Sequence, residues 1–210
     1  MFDLEFKFYL GFAYKSTFNA AIITNINSLY KGLTDSATIL EENEGLCKTS
    51  LIELRGIKFL LIKVSPGNVI VDILKLLKDK VKYISLLGLA GTLKSNYKIG
   101  EIVSPGICYD ELCDTQIKNE NFENSVKICQ TSGLVQTSEF YYNLLKKNIT
   151  LVDMESLYIA KYCNEAGIVY RIISLVSDNP FTNPFYEVRH NTIIDIDKII
   201  DLICEGDLYL

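Results

Sequence analysis

The sequence predicts an α/β protein in which helices cover both faces of a mainly parallel β-sheet. Segments with the pattern of strands alternate along the chain with segments of helical periodicity, which is the order typical of parallel sheets. Hydrophobic residues make up 49% of the 210 residues, enough for a sizeable core, and the length suits a single domain over residues 1–210. In such sheets, ligands bind beyond the carboxyl ends of the strands.

The individual elements follow from apolar runs and from the residues that interrupt them. Two runs separated by Arg55-Gly56 predict a hairpin, Asn68 can cap the helix that follows, and Gly167 suits a helix end. Predicted strands cover residues 6–12, 51–54, 58–64, 83–87, 102–104 and 168–177, with a turn at 88–91. Predicted helices cover residues 69–80, 141–147 and 193–204, and a fourth is entered through 150–153 and ends near 166.

Composition argues against several classes of function. The net charge is −5, and no cluster of Lys and Arg is long enough to bind a nucleic-acid backbone. The longest apolar stretches, residues 58–64 and 168–176, fall well short of the roughly 20 residues that span a bilayer. Six cysteines without C-x-x-C spacing, with His190 as the single histidine, favour neither zinc nor disulfides. We therefore expect a cytoplasmic protein without a metal, a membrane or a nucleic-acid partner.

Two acidic segments lie where predicted strands end. Glu155 follows Asp153 and Met154 at a strand-to-helix junction, where a carboxylate can accept hydrogen bonds from both hydroxyls of a ribose. Acidic residues at a helix start also suit the helix dipole, so this segment alone decides little. Asp178 follows a buried strand, where a shielded carboxyl group can hold a proton near neutral pH. Taken alone, Asp178 is explained more simply by a turn before Pro180.

A third segment, residues 87–92, has the small residues that let a ligand approach the backbone closely, although a plain turn has the same composition. Taken in order, residues 87–103, 131–142, 152–155 and 173–178 resemble four motifs of the nucleoside phosphorylase and nucleosidase superfamily. Residues 87–103 are similar to its "G-x-A-G-x-L-x-x-x-x-x-x-G-D-I-V" run, and Val152-Asp153-Met154-Glu155 is similar to its "V-E/D-M-E" helix start. The resemblance spans about residues 63–203.

This resemblance implies a three-layer αβα sandwich around a central mixed β-sheet. It implies cleavage of the N-glycosidic bond of a purine-type nucleoside, either by phosphate or by water. It also implies a homo-oligomer, either a dimer or a trimer of dimers, and no cofactor other than inorganic phosphate as a co-substrate.

Roles for single residues also follow from the resemblance. Glu155 would hold the 2′ and 3′ hydroxyls of the ribose, and Met154 would pack against the sugar. Asp178 would protonate or hydrogen-bond nitrogen 7 of the base, which makes the base a better leaving group. The remaining base-site residues would be Tyr141, Gly88, Ala90, Gly91 and Arg189, the last paired with Asp178.

The nucleophile side of the site departs from the family pattern. Leu86 and Leu89 stand where the phosphorylases have an arginine and a serine that hold phosphate. Gly11 to Lys15 resembles the phosphate loop, with lysine in place of arginine, and no carboxylate takes the place of the glutamate with which the nucleosidases activate water. The candidates for this side are Gly11, Lys15, Ser16, Arg55 and Ser65. A non-catalytic nucleoside-binding or storage-type relative of the same fold is the alternative.

Overall fold

The computed structural model of the chain describes residues 2–12, 18–65, 69–122, 124–133, 136–185 and 194–205. In this part of the chain the strands are β1 Ala20–Thr24, β2 Thr38–Glu44, β3 Lys48–Leu54, β4 Ile57–Lys63, β5 Tyr83–Thr92, β6 Ile102–Val103, β7 Ile107–Asp110, β8 Thr115–Lys118, β9 Lys127–Gln130, β10 Leu151–Asp153 and β11 Val169–Asp178. The helices are α1 Phe2–Leu10, α2 Asn27–Ser36, α3 Val69–Leu77, α4 Ser138–Lys146, α5 Ser156–Ala166 and α6 Ile196–Cys204.

All of these strands join one mixed sheet. The continuous order is β2-β3-β4-β1-β5-β10-β9-β7-β8, while β11 pairs with β5 and with β6. β4, β1, β5 and β11 are parallel neighbours, whereas β2, β3 and β4 form antiparallel pairs. The predicted hairpin at Arg55-Gly56 is confirmed, and both turn residues have positive φ (50° and 79°), as a tight two-residue connection requires.

The long strand β5 determines where a cavity opens. β11 runs along one edge of β5 from Tyr83 to Gly91, so β1 and β10 share the other edge. β1 is parallel to β5 and ends beside Leu87, while β10 is antiparallel and begins beside Thr92. The two strands therefore approach each other and leave the β5 edge between them uncovered.

Helices cover both faces of the sheet, as the predicted three-layer sandwich requires. On one face, α1 packs on α3 and α3 packs on α5, over buried residues such as Ile84 and Leu86 of β5. On the other face, α2 and α6 pack together over residues such as Tyr83 and Leu87. The alternation of neighbouring β5 residues between the two faces is the strand periodicity. In the described residues, no helix is long and apolar enough to cross a membrane.

Two of the predicted elements are wrong. Residues 6–12 belong mostly to the helix α1, in which Phe6 and Leu10 lie one turn apart and are both buried. The predicted turn at 88–91 is a continuation of β5, because β11 pairs with this segment and holds it extended despite its glycines. The first parallel strand is instead β1, whose five residues are all buried and so show no alternation between polar and apolar positions.

Candidate active site

A cavity of about 540 Å³ opens where β1, β10 and β11 end around the uncovered edge of β5. Its size is typical of sites for small molecules. The residues that line it are Asn25, Ile26, Asn27, Ser28, Leu89, Gly91, Thr131, Gly133, Tyr141, Val152, Asp153, Met154, Glu155, Leu175, Val176, Ser177, Asp178, Phe185 and Ile194.

Met154 and Glu155 occupy the short turn between β10 and α5, and hydrogen bonds on both sides hold this turn in place. The carboxylate of Asp153 accepts hydrogen bonds from the Ser156 backbone N–H (2.9 Å) and from the Ser156 hydroxyl (2.6 Å). Gln130 Oε1 accepts from the N–H groups of the next two residues of α5. The first three N–H groups of α5 thus donate to protein side chains, so they are not offered to an anion.

Glu155 is buried at the N-terminal end of α5, with only 4% of its surface exposed. Its Oε1 accepts a hydrogen bond from Asn25 Nδ2 at 3.2 Å, across 130 residues of sequence. Met154 is half-buried beside it and lines the same cavity. The carboxylate of Glu155 and the thioether of Met154 therefore lie side by side in the lining of the cavity.

Asp153 has an unusual titration behaviour for an aspartate. Burial raises its pKa from 3.8 to about 7; the hydrogen bond from Ser156 acts against this shift, and the charge of Glu155 adds to it. Burial disfavours the charged form of the Asp153 carboxyl group, and a second negative charge on Glu155 nearby disfavours it further.

Asp178 reaches the cavity through an irregularity in β11. The register of β11 against β5 shifts between Val176 and Asp178, so that Asp178 pairs with Gly91. Such a bulge changes the direction in which the following side chain points. Asp178 Oδ1 accepts a hydrogen bond from the Ser177 hydroxyl at 2.5 Å. The lack of a side chain at Gly91 gives this carboxyl group room, because a Cβ at this position would lie 3.0 Å from Asp178 Oδ2.

Tyr141 forms an aromatic wall next to Asp178. Burial raises the pKa of its phenol, and the charge of Asp178 adds to the effect. The ring packs edge-to-face on Phe181 with centroids 6.0 Å apart, and Phe181 in turn lies 4.9 Å from Tyr142. Aromatic packing of this kind holds a ring in one orientation, so Tyr141 presents a fixed apolar surface to the cavity.

Comparisons with known proteins found similarity in sequence and in fold to nucleosidases. A 5′-methylthioadenosine/S-adenosylhomocysteine nucleosidase of Buchnera aphidicola is 33% identical over 166 residues, which cover 62% of this chain and 66% of that protein. This similarity supports membership of the nucleoside phosphorylase and nucleosidase superfamily. The matched part spans slightly less than two thirds of the length of that relative. No protein-family model matches the sequence.

Solved structures of this superfamily share the fold at much lower identity. A futalosine hydrolase of Helicobacter pylori superimposes with a TM-score of 0.67 at 14% identity, covering 81% of this chain and 92% of that chain. A 5′-methylthioadenosine/S-adenosylhomocysteine nucleosidase of S. pneumoniae, solved with a transition-state inhibitor, has a TM-score of 0.67 at 15% identity and covers 80% and 90%.

The structure brings together five of the residues that the superfamily resemblance predicts at the site. Met154, Glu155, Asp178, Tyr141 and Gly91 line one cavity. Roles for them beyond this placement remain predictions.

Other predicted residues do not reach the cavity. Gly88 and Ala90 are on β5, where the strand periodicity turns them to the opposite face from Leu89 and Gly91. Gly11 ends α1 with φ of +74°, where its N–H donates to the Lys7 carbonyl. These positions line no part of the cavity because the predicted turn and the predicted first strand are absent.

The nucleophile-side candidates are also apart from the cavity or outside the described residues. Arg55 is at the β3–β4 turn, where it forms an exposed ion pair with Asp201. Ser65 is exposed after β4 and is not among the lining residues. Lys15, Ser16 and Arg189 lie outside the described residues.

The segment Asn25–Ser28 is the part of the site that sequence reasoning missed. It follows β1, which is the first parallel strand in the described residues, and it leads into α2. The signal was present in the sequence as a short apolar run, Ala20–Thr24, followed by Asn and Ser residues that suit a helix start.

The described lining carries three carboxyl groups and no lysine, arginine or histidine side chain. The acidic side chains of Asp153, Glu155 and Asp178 would attract polar or positively polarised groups of a ligand and repel an anion. A ligand with hydroxyl groups at one end and a ring that accepts a proton at the other would satisfy this arrangement.

Proposed function

We propose that this protein hydrolyses the N-glycosidic bond of a purine-type nucleoside. The observation that carries the proposal is the presence of Glu155 and Asp178 in one cavity, with the aromatic wall of Tyr141 beside Asp178. In this assignment Glu155 accepts hydrogen bonds from the 2′ and 3′ hydroxyls, and Met154 packs against the sugar. Asp178 and Tyr141 hold the base.

The reaction requires the bond between C1′ of the ribose and the ring nitrogen to break, with its electron pair leaving on the base. A proton supplied by Asp178 to nitrogen 7 neutralises the negative charge that develops there, and such assistance is typically worth about 10²–10⁴-fold in rate. The ribose becomes positively charged in the transition state, which the nearby carboxylates stabilise. The oxygen of water then bonds to C1′, the water loses a proton to solvent, and Asp178 regains its own proton from solvent.

The charge of the cavity favours water over phosphate as the nucleophile. Phosphate carries one to two negative charges at neutral pH, and enzymes hold it with arginine, lysine or clusters of backbone N–H groups. The described lining offers none of the cationic side chains, and Leu89 is apolar where the phosphorylases have a serine. Phosphorolysis with Lys15 or Arg189 as the missing cation is the competing form of the proposal.

A non-catalytic nucleoside-binding protein is the second candidate. It is favoured by one observation: the segment after β1 offers Asn25, Ile26, Asn27 and Ser28, none of which can take a proton from water as a glutamate does. Under this alternative, the protein binds ribonucleosides and releases no base.

One experiment separates these functions. The protein is incubated with inosine, adenosine and methylthioadenosine, with and without inorganic phosphate, and free base and free sugar are measured. Release of base at the same rate in both buffers, with ribose as the other product, supports hydrolysis. A rate that depends on phosphate, with ribose 1-phosphate as product, indicates phosphorolysis. Binding measured by calorimetry without release of base supports the non-catalytic alternative.

A further inference from the structure

The hydrogen bond from Asn25 to Glu155 joins two segments that are far apart in sequence but approach each other at the cavity. Asn25 Nδ2 lies 3.2 Å from Glu155 Oε1, and both residues line the cavity. Asn25 directly follows β1, whereas Glu155 follows β10. Asn25 is half-buried and Glu155 is buried, so the bond is shielded from bulk water.

The topology of the sheet makes this contact possible. β1 and β10 lie along the same edge of β5 and point toward each other. The backbone partner of Thr24 is Leu87, and that of Val152 is Gly91. The side chains of Asn25 and Glu155 thus meet beside the uncovered stretch of β5, at the position from which the cavity opens.

An amide suits this position chemically. Glu155 lies among other carboxylates, and its charge contributes to the raised pKa of Asp153. A carboxylate has about four acceptor sites on its two oxygens, and the amide occupies one of them. A lysine or arginine would instead form an ion pair and draw the carboxylate toward itself. An uncharged donor fixes the side chain and does not neutralise the negative charge that attracts hydroxyl groups.

We propose that Asn25 is a positioning residue that orients the Glu155 carboxylate to bind the vicinal diol of the ribose. The inference rests on the proposed function, since it gives Glu155 the sugar as its ligand. It assigns to the segment after β1 a role in recognising ribose. Asn25 acts here through Glu155 and needs no contact with the reacting atoms.

The first test measures preference for the diol rather than affinity alone. Binding of adenosine and of 2′,3′-dideoxyadenosine is measured by calorimetry for the wild-type protein and for Asn25→Ala. A hydrogen bond to a charged group is worth about 1.5–3 kcal/mol, so we expect the Kd for adenosine to rise about 10-fold or more. The Kd for the dideoxy analogue should change less than about 2-fold, because this analogue offers nothing for Glu155 to bind.

The second test uses a substitution of the same shape. In Asn25→Asp the amide donor becomes a carboxylate at pH 8 and faces Glu155 with a like charge, so adenosine should bind more weakly than to Asn25→Ala. At pH 5 a carboxyl group held beside another carboxylate is largely protonated and donates again. The loss of adenosine affinity in Asn25→Asp should therefore shrink from pH 8 to pH 5 relative to that in Asn25→Ala. A role confined to folding would give equal ratios at both pH values.

A matched control comes from the exposed strand β2. Asn43 Nδ2 donates to Glu41 Oε1 at 2.8 Å, the same pair of groups, at a place that does not line the cavity. Asn43→Ala and Asn43→Asp should bind both nucleosides like the wild-type protein. Circular dichroism and melting temperature establish that every variant is folded.

The outcomes separate the inference from the proposed function. Suppose that the wild-type protein binds adenosine and that Asn25→Ala loses affinity equally for both ligands, or for neither. This result overturns the role of Asn25 and leaves the proposed function standing. A wild-type protein that binds none of adenosine, inosine and methylthioadenosine overturns the proposed function, and the inference with it. A selective loss for the ligand with the diol supports both.

Discussion

The carboxylate of Asp178 occupies space that a side chain at Gly91 would need. A Cβ on Gly91 would lie 3.0 Å from Asp178 Oδ2 and 3.2 Å from Val152 Cγ2, both closer than ordinary van der Waals contact. The two residues are also backbone partners across the β11–β5 pair, just after the bulge. A glycine at position 91 therefore allows the carboxyl group of Asp178 to lie close to the sheet and to face the cavity.

We expect Gly91→Ala to lower turnover by about 10-fold or more, because small displacements of a catalytic group are costly. The added methyl group should also destabilise the fold by about 1–3 kcal/mol through overpacking. Base release and urea unfolding measure the two effects. If the loss of turnover acts through Asp178, the double variant with Asp178→Ala should be no less active than Asp178→Ala alone.

Gly88→Ala is the matched control for this prediction. A Cβ at Gly88 meets no heavy atom within 4 Å, and the residue faces away from the cavity. Turnover should therefore stay close to that of the wild-type protein. A loss as large as that of Gly91→Ala would instead support the contact with the base that the sequence motif predicts for Gly88.

The sequence predicted the parts of the site that follow from local motifs. The turn that carries Met154 and Glu155 and the strand end that carries Asp178 were both placed correctly, because β10, α5 and β11 have clear boundaries at Gly167 and in apolar runs. These motifs also lie in the stretch of the chain that resembles the superfamily most clearly.

The remaining part depended on pairing between distant strands. Residues 6–12 have apolar positions that fit a strand and a helix almost equally well. In the structure most of them belong to α1, which packs against α3 and has Phe6 and Leu10 in the core. Because the sequence predicts residues 6–12 to be the first strand, the predicted nucleophile-side residues lie near Gly11, and no site residue is predicted in the segment after β1. Asn25 was missed for this reason, and because its hydrogen bond to Glu155 spans 130 residues.

We expect Glu155→Ala to remove most affinity for ribonucleosides. A charged acceptor bonded to hydroxyls in a shielded site is worth about 1.5–3 kcal/mol, which corresponds to about 10–100-fold in Kd. Calorimetry with adenosine measures the loss, and circular dichroism establishes that the variant is folded. An unchanged Kd would contradict the assignment of Glu155 to the sugar.

Asp178 can be tested with two substitutions that separate proton transfer from hydrogen bonding. Asp178→Ala should lose about 10²–10⁴-fold in turnover, the usual contribution of a general acid. Asp178→Asn can still donate a hydrogen bond but cannot transfer a proton, so it should retain more activity on inosine, where an amide can bridge the ring nitrogen and the 6-oxygen. If Asp178 only shapes the turn before Pro180, both variants should melt at lower temperature with unchanged turnover per folded molecule.

The raised pKa of Asp153 implies that the contribution of this residue to the stability of the protein falls as pH rises from about 4 to about 7. In the unfolded chain this carboxyl group ionises near 3.8, whereas in the folded protein it keeps its proton up to about pH 7. Between these values the folded state binds more protons than the unfolded state, so its advantage is full below pH 3.8 and is lost as pH rises through about 7. At about 1.4 kcal/mol for each pKa unit, the effect between pH 5 and pH 8 is about 2–3 kcal/mol.

Asp153→Asn removes the titrating group and keeps its shape, so it does not lose this stability at high pH. The free energy of unfolding of the variant, minus that of the wild-type protein, should therefore be about 2–3 kcal/mol larger at pH 8 than at pH 5. Urea unfolding at the two pH values measures this difference. Asp110→Asn is the control, because the hydrogen bond from Lys161 lowers the pKa of Asp110, and a carboxyl group with a lowered pKa is ionised in both states throughout this range. The effect of Asp110→Asn should therefore be the same at pH 5 and pH 8. If Asp153→Asn also shows no change between the two values, Asp153 is ionised in the folded protein and two charged carboxylates are tolerated side by side at the start of α5.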